Sequence, residues 1–235
     1  MDSLPSVRMT ANLNSMIRGQ QSIEQAERAI VGGDVAHHVV DPDDVLGLDP
    51  LQASTLDAAL EALLAAEFDG WFLALPVPGS LAPLRGPAAF NLAAVEQGEA
   101  VVASAAGLGL VPMQVGQAVQ WRIFVAERPL PPSGPHEAER ALNEVVIDAA
   151  ATLARLDIAA GTRPESSAAV GLAPGYSMRQ RATVERAARL LAACDAALLD
   201  GASISSFEAD RRASELRRVR AKAGEALGSA VSWLR

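Results

Sequence analysis

The chain has 235 residues, with 20 basic against 28 acidic side chains, a net charge of −8 and one cysteine. A chain of this length builds a sizeable core without a disulfide or metal staple, and Cys194 alone excludes an intramolecular disulfide. The acidic balance repels nucleic-acid phosphates and anionic lipids. No apolar run approaches the roughly 18 residues of a membrane span, because Asp148 interrupts VVIDAAATLA, and Glu61 and Glu67 interrupt the region around Leu60.

The charge is unevenly spread. Residues 1–175 hold 9 basic and 21 acidic residues, a balance of −12, whereas residues 176–235 hold 11 basic and 7 acidic, a balance of +4. A basic end suits docking to an acidic surface, that of the chain's own body, of a partner or of a second copy. No basic region followed by an apolar segment opens the chain, and one thiol suits a reducing compartment, so a cytoplasmic protein is expected. Half of the residues are hydrophobic but only 4% are aromatic. Alanine carries much of that fraction, which predicts close helix packing in place of large aromatic anchors.

In chain order, residues 1–21 are polar and read as a partly disordered N-terminal segment. Ser22 to Val31 predicts a short helix, with Ser22 and Gln25 in capping-box spacing and Gly32-Gly33 at its end. Val35 to Val40 suits a short edge strand, and Asp41 to Pro50 is rich in turn residues. Ser54 or Thr55 caps a helix to about Phe68 on a stripe of Leu56, Leu60, Leu63 and Leu64. Trp71 to Val77 is apolar on both faces and reads as a central or well-covered strand. A loop at Gly79 to Gly86 and a short helix near Pro87 to Gln97 come next.

The segment from Gly98 to Glu127 is the long β-rich stretch. Glu99 to Ser104, Leu108 to Val115 and Val119 to Val125 form three strands with short connections, hence an antiparallel meander. Val119, Trp121, Ile123 and Val125 point one way, and Gln120, Arg122 and Phe124 the other. Gly116-Gln117 suits a tight hairpin, and Pro112, lacking an amide donor, predicts an edge or a bulge. Pro129 to Pro135 is a stiff connector. A long helix follows to about Ile158, and its stripe of Ala138, Leu142, Val145, Ala149, Leu153 and Leu156 predicts that it lies across the sheet. After a loop over 159–176, helices at 177–200 and 205–234 form an antiparallel hairpin around Gly201 and Ala202, with capping boxes at Ser177/Gln180 and Ser205/Glu208.

The fold class is therefore α+β: an antiparallel β-meander of about four strands covered by helices over 22–158, with a C-terminal antiparallel helical hairpin over 177–235. The motifs for chemistry are weak. His37 and His38 stand near Asp41, Asp43 and Asp44, but adjacent strand histidines point to opposite faces, and Asp-Pro-Asp-Asp is turn chemistry. No metal, cofactor or catalytic residue is assigned. Cys194 sits on an apolar helical stripe, which favours an inert thiol. His136 opens a helix after the proline-rich stretch Pro129 to Pro135, where exposure is expected. Gly107-Leu108-Gly109 lacks the third glycine of a dinucleotide fingerprint and precedes a strand.

Two surfaces are candidates. Gln114, Gln120 and Arg122 share a polar sheet face roofed by the Gly79–Gly86 loop, either as a binding surface or as a solvated face. Arg211, Arg217 and Arg218 form a basic helix face that could dock an acidic protein surface, with Trp233 as an anchor or as packing for the hairpin end. The reading is a non-enzymatic cytoplasmic binding or adaptor protein acting through protein–protein contact or self-association, with no nucleic-acid partner. The alternatives are a small-molecule sensor or carrier using the sheet face, and an enzyme with dispersed acid–base residues.

Overall fold

A computed structural model describes residues 4–77, 79–155, 171–199 and 206–233. The chain divides into two compact units. The first in sequence is an α+β body, whose described residues are 4–77, 79–132, 171–176 and 231–233. The second is a helical unit, whose described residues are 133–155, 177–199 and 206–230.

The body is built on a mixed six-stranded sheet. Its strands are β1 (His37–Val40), β2 (Ser54–Thr55), β3 (Trp71–Ala74), β4 (Ala100–Ala103), β5 (Gly107–Val115) and β6 (Ala118–Ala126). Their order is β2-β1-β6-β5-β4-β3. The meander is present, because β4, β5 and β6 pair antiparallel in succession and β3 pairs antiparallel with β4. The expected sheet of about four antiparallel strands is corrected in two respects. β1 pairs parallel with β6, and β2 adds an antiparallel strand outside β1. The apolar β1 thus occupies an inner position, and the two-residue β2 forms the rim, an edge too short to template further pairing.

The β5–β6 hairpin turns on two residues, Gly116 and Gln117, and Gly116 supplies the positive φ that such a turn requires. Pro112 pairs in unbroken register with Trp121, so there is no bulge, and β5 lies inside the sheet. Its pairing with β4, however, ends at Leu110, which leaves Pro112 where no neighbouring strand asks for an amide donor.

Four helices serve the body: α1 (Pro5–Ile17), α2 (Ile23–Val31), α3 (Leu56–Ala65) and α4 (Ala88–Gln97). α1 is the principal departure from expectation, since a partly disordered segment was expected over residues 1–21. Its buried side includes Ser6, Thr10, Asn12, Asn14 and Ser15, so the hydrophobic period that advertises a helix is diluted. Asn14 has a clear task. Its side-chain amide donates to the Trp71 carbonyl at 2.9 Å and its carbonyl accepts the Trp71 N–H at 2.8 Å. β3 is an edge strand, and Asn14 satisfies its outward backbone groups as a neighbouring strand would; the Ser232 hydroxyl does the same for the Leu73 N–H.

Helices α1, α2 and α3 cover one sheet face, where Met9, Leu13, Ile30, Leu56, Leu60, Trp71, Leu110, Trp121 and Ile123 share one core. α4 and Leu84 cover part of the other face, with Phe72, Phe90, Ala100, Val102, Val111 and Phe124. Gly109 is required there, because a Cβ on it would stand 2.4 Å from the Phe90 ring.

The helical unit holds α5 (Pro135–Arg155), α6 (Met178–Leu199) and most of α7 (Ser206–Ser232). Ser177 and Gln180 form the expected reciprocal cap at the start of α6. Gln180 reaches the Ala230 carbonyl, and Asp195 pairs with Arg220 at 2.5 Å, so α6 and α7 run antiparallel as expected. α5, expected across the sheet, packs here instead: Ala149, Cys194 and Val219 form one small core with Val145, Leu190 and Leu216 around it. Contacts from Glu139 to Arg179 and from Asn143 to Arg186 show that α5 runs parallel to α6. The expected turn at Gly201-Ala202, the Ser205/Glu208 cap, Leu156 and Leu234 lie outside the described residues.

Candidate functional site

The part of the α4 sheet face that α4 leaves uncovered carries the first candidate. Gln120 pairs with His38 across to β1 and with Met113 across to β5, and Arg122 pairs with Val40 and Val111, so these side chains share one face. Gln114 does not join them. It stands opposite Val119, on the Trp121 side of the sheet, and its amide donates to the Gly116 carbonyl within its own hairpin. The expected trio is therefore corrected to Gln120 and Arg122. The Gly79–Gly86 loop does not roof them either. Gly86 accepts the Glu127 N–H and Pro83 accepts the Leu130 N–H, which places this end of the loop beyond the far end of β6.

Arg122 is held in place. Its guanidinium lies 4.8 Å from the Phe124 ring centroid, and one nitrogen is 3.8 Å from the Asp43 carboxylate. Both charged side chains are near half exposed, so the pair contributes little to stability.

Behind this face lies a buried polar chain that the sequence did not reveal. Arg8 of α1 pairs with Asp34; Asp34 accepts from His37 Nε2 at 2.9 Å; and the Trp121 indole N–H donates to His37 Nδ1 at 3.1 Å. Both ring nitrogens are thus occupied, and the imidazole is neutral with its proton on Nε2. Burial pushes the His37 pKa below its ordinary value, against the pull of the Asp34 hydrogen bond. Burial works to raise the Asp34 carboxyl, but the His37 hydrogen bond and the Arg8 charge outweigh it and hold the pKa below the usual range. His38 points to the opposite, exposed side, as strand alternation requires. Asp41 is buried and accepts the Val45, Leu46 and Leu48 N–H groups, which is turn chemistry. Among the described residues, no three His, Cys, Asp or Glu side chains cluster as a metal site.

Two further titratable groups are enclosed. Glu99 accepts the Ser6 N–H at 2.9 Å and so caps α1 from another element; burial pushes its pKa up. Cys194 lies in the small core of the helical unit, where burial pushes its thiol up to about 11, far from a reactive thiolate. His136, in the first turn of α5, is exposed.

The basic face of α7 is mostly paired. Arg211 and Arg218 flank the buried Glu215 carboxylate at 3.9 and 2.6 Å, and Lys222 pairs with Glu225. Arg217 is exposed. Trp233 is not part of this face. It belongs to the body, where its ring sits 5.6 Å from that of Phe72 and covers the edge of β3.

One end of the helical unit has a different character. Because α7 runs against α5 and α6, the end of α6 and the start of α7 fall at the same end of the unit. Leu199 is 89% exposed there and Phe207 is 69% exposed. Arg211, one turn after Phe207, lies beside it. Sequence reasoning passed over both apolar residues, although Phe207 stands off the alanine and leucine stripe of α7 and so signals a side chain without a core to fill.

Residues 6–139 match the family model described as the N-terminal domain of the Rv1486c-like protein, and residues 136–228 match that of its C-terminal domain. The chain belongs to the Rv1486c-like family. The two family domains meet at residues 136–139, close to Ser133, where the helical unit begins. No curated protein and no solved structure matches the chain. No described helix is long and apolar enough to cross a membrane.

Proposed function

We propose that this member of the Rv1486c-like family is a non-enzymatic, cytoplasmic binding or adaptor protein that acts through protein–protein contact. The observation that carries the reading is the end of the helical unit, where Leu199 and Phe207 are exposed beside Arg211. Large apolar side chains exposed together with an arginine are the composition of an interface centre. The partner this surface fits offers an apolar pocket rimmed by carboxylates. Arg217 and Arg218 extend the basic rim along α7 and steer such a partner.

The groups with catalytic potential have structural tasks that support the same reading. Both nitrogens of His37, the Asp41 carboxylate and the Glu99 carboxylate are spent on internal hydrogen bonds, and Cys194 is enclosed. The test is affinity capture from the source cell with the wild-type protein and with Phe207→Asp and Arg217→Glu. A protein retained by the wild type should be lost with Phe207→Asp and become more salt-sensitive with Arg217→Glu. Equal retention by all three would remove this surface from the account.

A further inference from the structure

Two helices of the body end at a common groove. α1 ends at Ile17, and the chain turns through Arg18 and Gly19, whose N–H donates to the Met16 carbonyl. α3 ends at Ala65, and the Glu67 N–H donates to the Leu64 carbonyl. The groove between them has a volume of about 360 Å³ and is lined by Ile17, Arg18, Leu64, Glu67, Phe68 and Asp69. That volume lies at the small-ligand end of binding cavities.

The lining combines three chemistries. Ile17, Leu64 and Phe68 are apolar, and Phe68 is fixed by an edge-on contact with Trp71 at 5.0 Å between centroids. Arg18 supplies one positive charge, and Glu67 and Asp69 supply two negative ones. No ion pair among the described residues engages Arg18, Glu67 or Asp69, so the three charges are not spent on one another. The carboxyl end of α3, next to Glu67 in the chain, adds partial negative charge, which favours an incoming cation there.

Glu67 has a special backbone conformation. Its φ is +54°, a left-handed conformation in which glycine is the relaxed choice. Glutamate is held there, directly after the α3 cap Ala66, at a conformational cost, and the residue lines the groove.

We infer that this groove binds a small zwitterion with an apolar side chain, of the free α-amino-acid class. Arg18 takes the carboxylate, Glu67 and Asp69 take the ammonium, and Ile17, Leu64 and Phe68 take the side chain. Every lining residue then has a role, and a ligand lacking any one of the three groups leaves part of the lining unused. The groove is open to water, so the ion pairs are screened and the affinity is modest. This inference stands on the body alone and is independent of the surface on the helical unit.

The test is an amide NMR titration of the full chain with L-leucine and L-phenylalanine. The comparison probes are 4-methylpentanoate, 3-methylbutylamine, glycine and leucyl-glycine. Saturable shifts confined to residues 17–18 and 64–69 are expected with the two amino acids, and binding at least about tenfold weaker with each comparison probe. Arg18→Gln and Asp69→Asn should each weaken leucine binding by about tenfold without lowering Tm. Glu67→Gly should weaken binding and raise Tm, an outcome that a purely structural role for Glu67 does not give. The inference is overturned by amino-acid shifts that do not saturate, by equal binding of the amine or the acid, or by a Glu67→Gly protein that keeps full affinity. Leucyl-glycine binding as well as leucine would also overturn the free-amino-acid assignment and point to a peptide amino terminus.

Discussion

The α+β body and the helical unit solve the same packing problem with different materials. The body buries Trp71, Trp121, Phe90, Leu110 and Ile123 completely and holds the buried side chains of Asn14, Asp41 and Glu99 in specific hydrogen bonds to backbone groups. The helical unit buries mostly small residues, Ala187, Ala223, Ala226 and Ala230, together with Leu142, Val184 and Leu227, and around Ala149, Cys194 and Val219 its valines and leucines are only half enclosed. Alanine-rich helices approach closely but bury little area per residue, so each contact stabilises less. The contrast lies in the cores. Both regions leave large apolar side chains in water, Leu51 and Leu92 on the body and Leu199 and Phe207 on the helical unit, and Phe207 stands one helical turn from Arg211.

The sharpest break of this comparison is Trp121→Ala. Removing a fully buried indole that also holds His37 should cost about 3–5 kcal/mol, read as a lower midpoint in chemical denaturation. Leu216→Ala, on the half-enclosed rim of the helical core, should cost no more than about 1–2 kcal/mol. Equal losses would mean that the two regions are packed alike.

Asn14→Ala comes next. It strips both hydrogen bonds from the Trp71 backbone on the β3 edge and should cost about 2–3 kcal/mol. Hydrogen exchange should show faster exchange at Trp71 and not at the β5–β6 hairpin.

A smaller effect separates acid behaviour. The folded His37 titrates below its ordinary 6.5, so the unfolded chain takes up this proton first. Stability from His37 is therefore present above pH 6.5 and declines as pH falls below it, until the folded ring also protonates. Asp34, held below 3.8, adds a loss only in stronger acid. Glu99, raised above 4.5, works in the opposite direction, because its folded form takes a proton before the unfolded one. His37→Gln can still donate to Asp34 and accept from Trp121, so it should match the wild type near neutrality and lose the decline that begins at pH 6.5. Parallel pH profiles for the two proteins would contradict the assignment. Phe207→Asp gives the smallest stability change, within about 0.5 kcal/mol, because its side chain lies mostly in water.

Much of the body was legible from local pattern. Alternation at Val119 to Val125 identified β6 and its two faces, and Gly116-Gln117 identified the hairpin. That two-residue turn also implied that Gln114 stands opposite Val119, so its place on the Trp121 side was readable and was missed. The parallel pairing of β1 with β6 was not readable, since about 80 residues separate the strands and no short-range signal specifies the register. α1 escaped because polar side chains occupy its buried side, and their partners, such as the Trp71 backbone, are remote in sequence. The basic stripe of α7 and its pairing with Glu215 at helical spacing were visible, but the bareness of Phe207 depends on packing. The groove at Arg18 and Glu67 joins the ends of two helices and has no motif.

The most direct test of the central contrast is photo-crosslinking in the source cell, with the crosslinking side chain placed at position 207 in one protein and at exposed Gln52 of the body in another. A discrete adduct from position 207, lost with Arg211→Glu and absent from position 52, is the predicted result. No discrete adduct at 207, or the same adducts from both positions, would contradict the claim that the helical unit carries the partner surface.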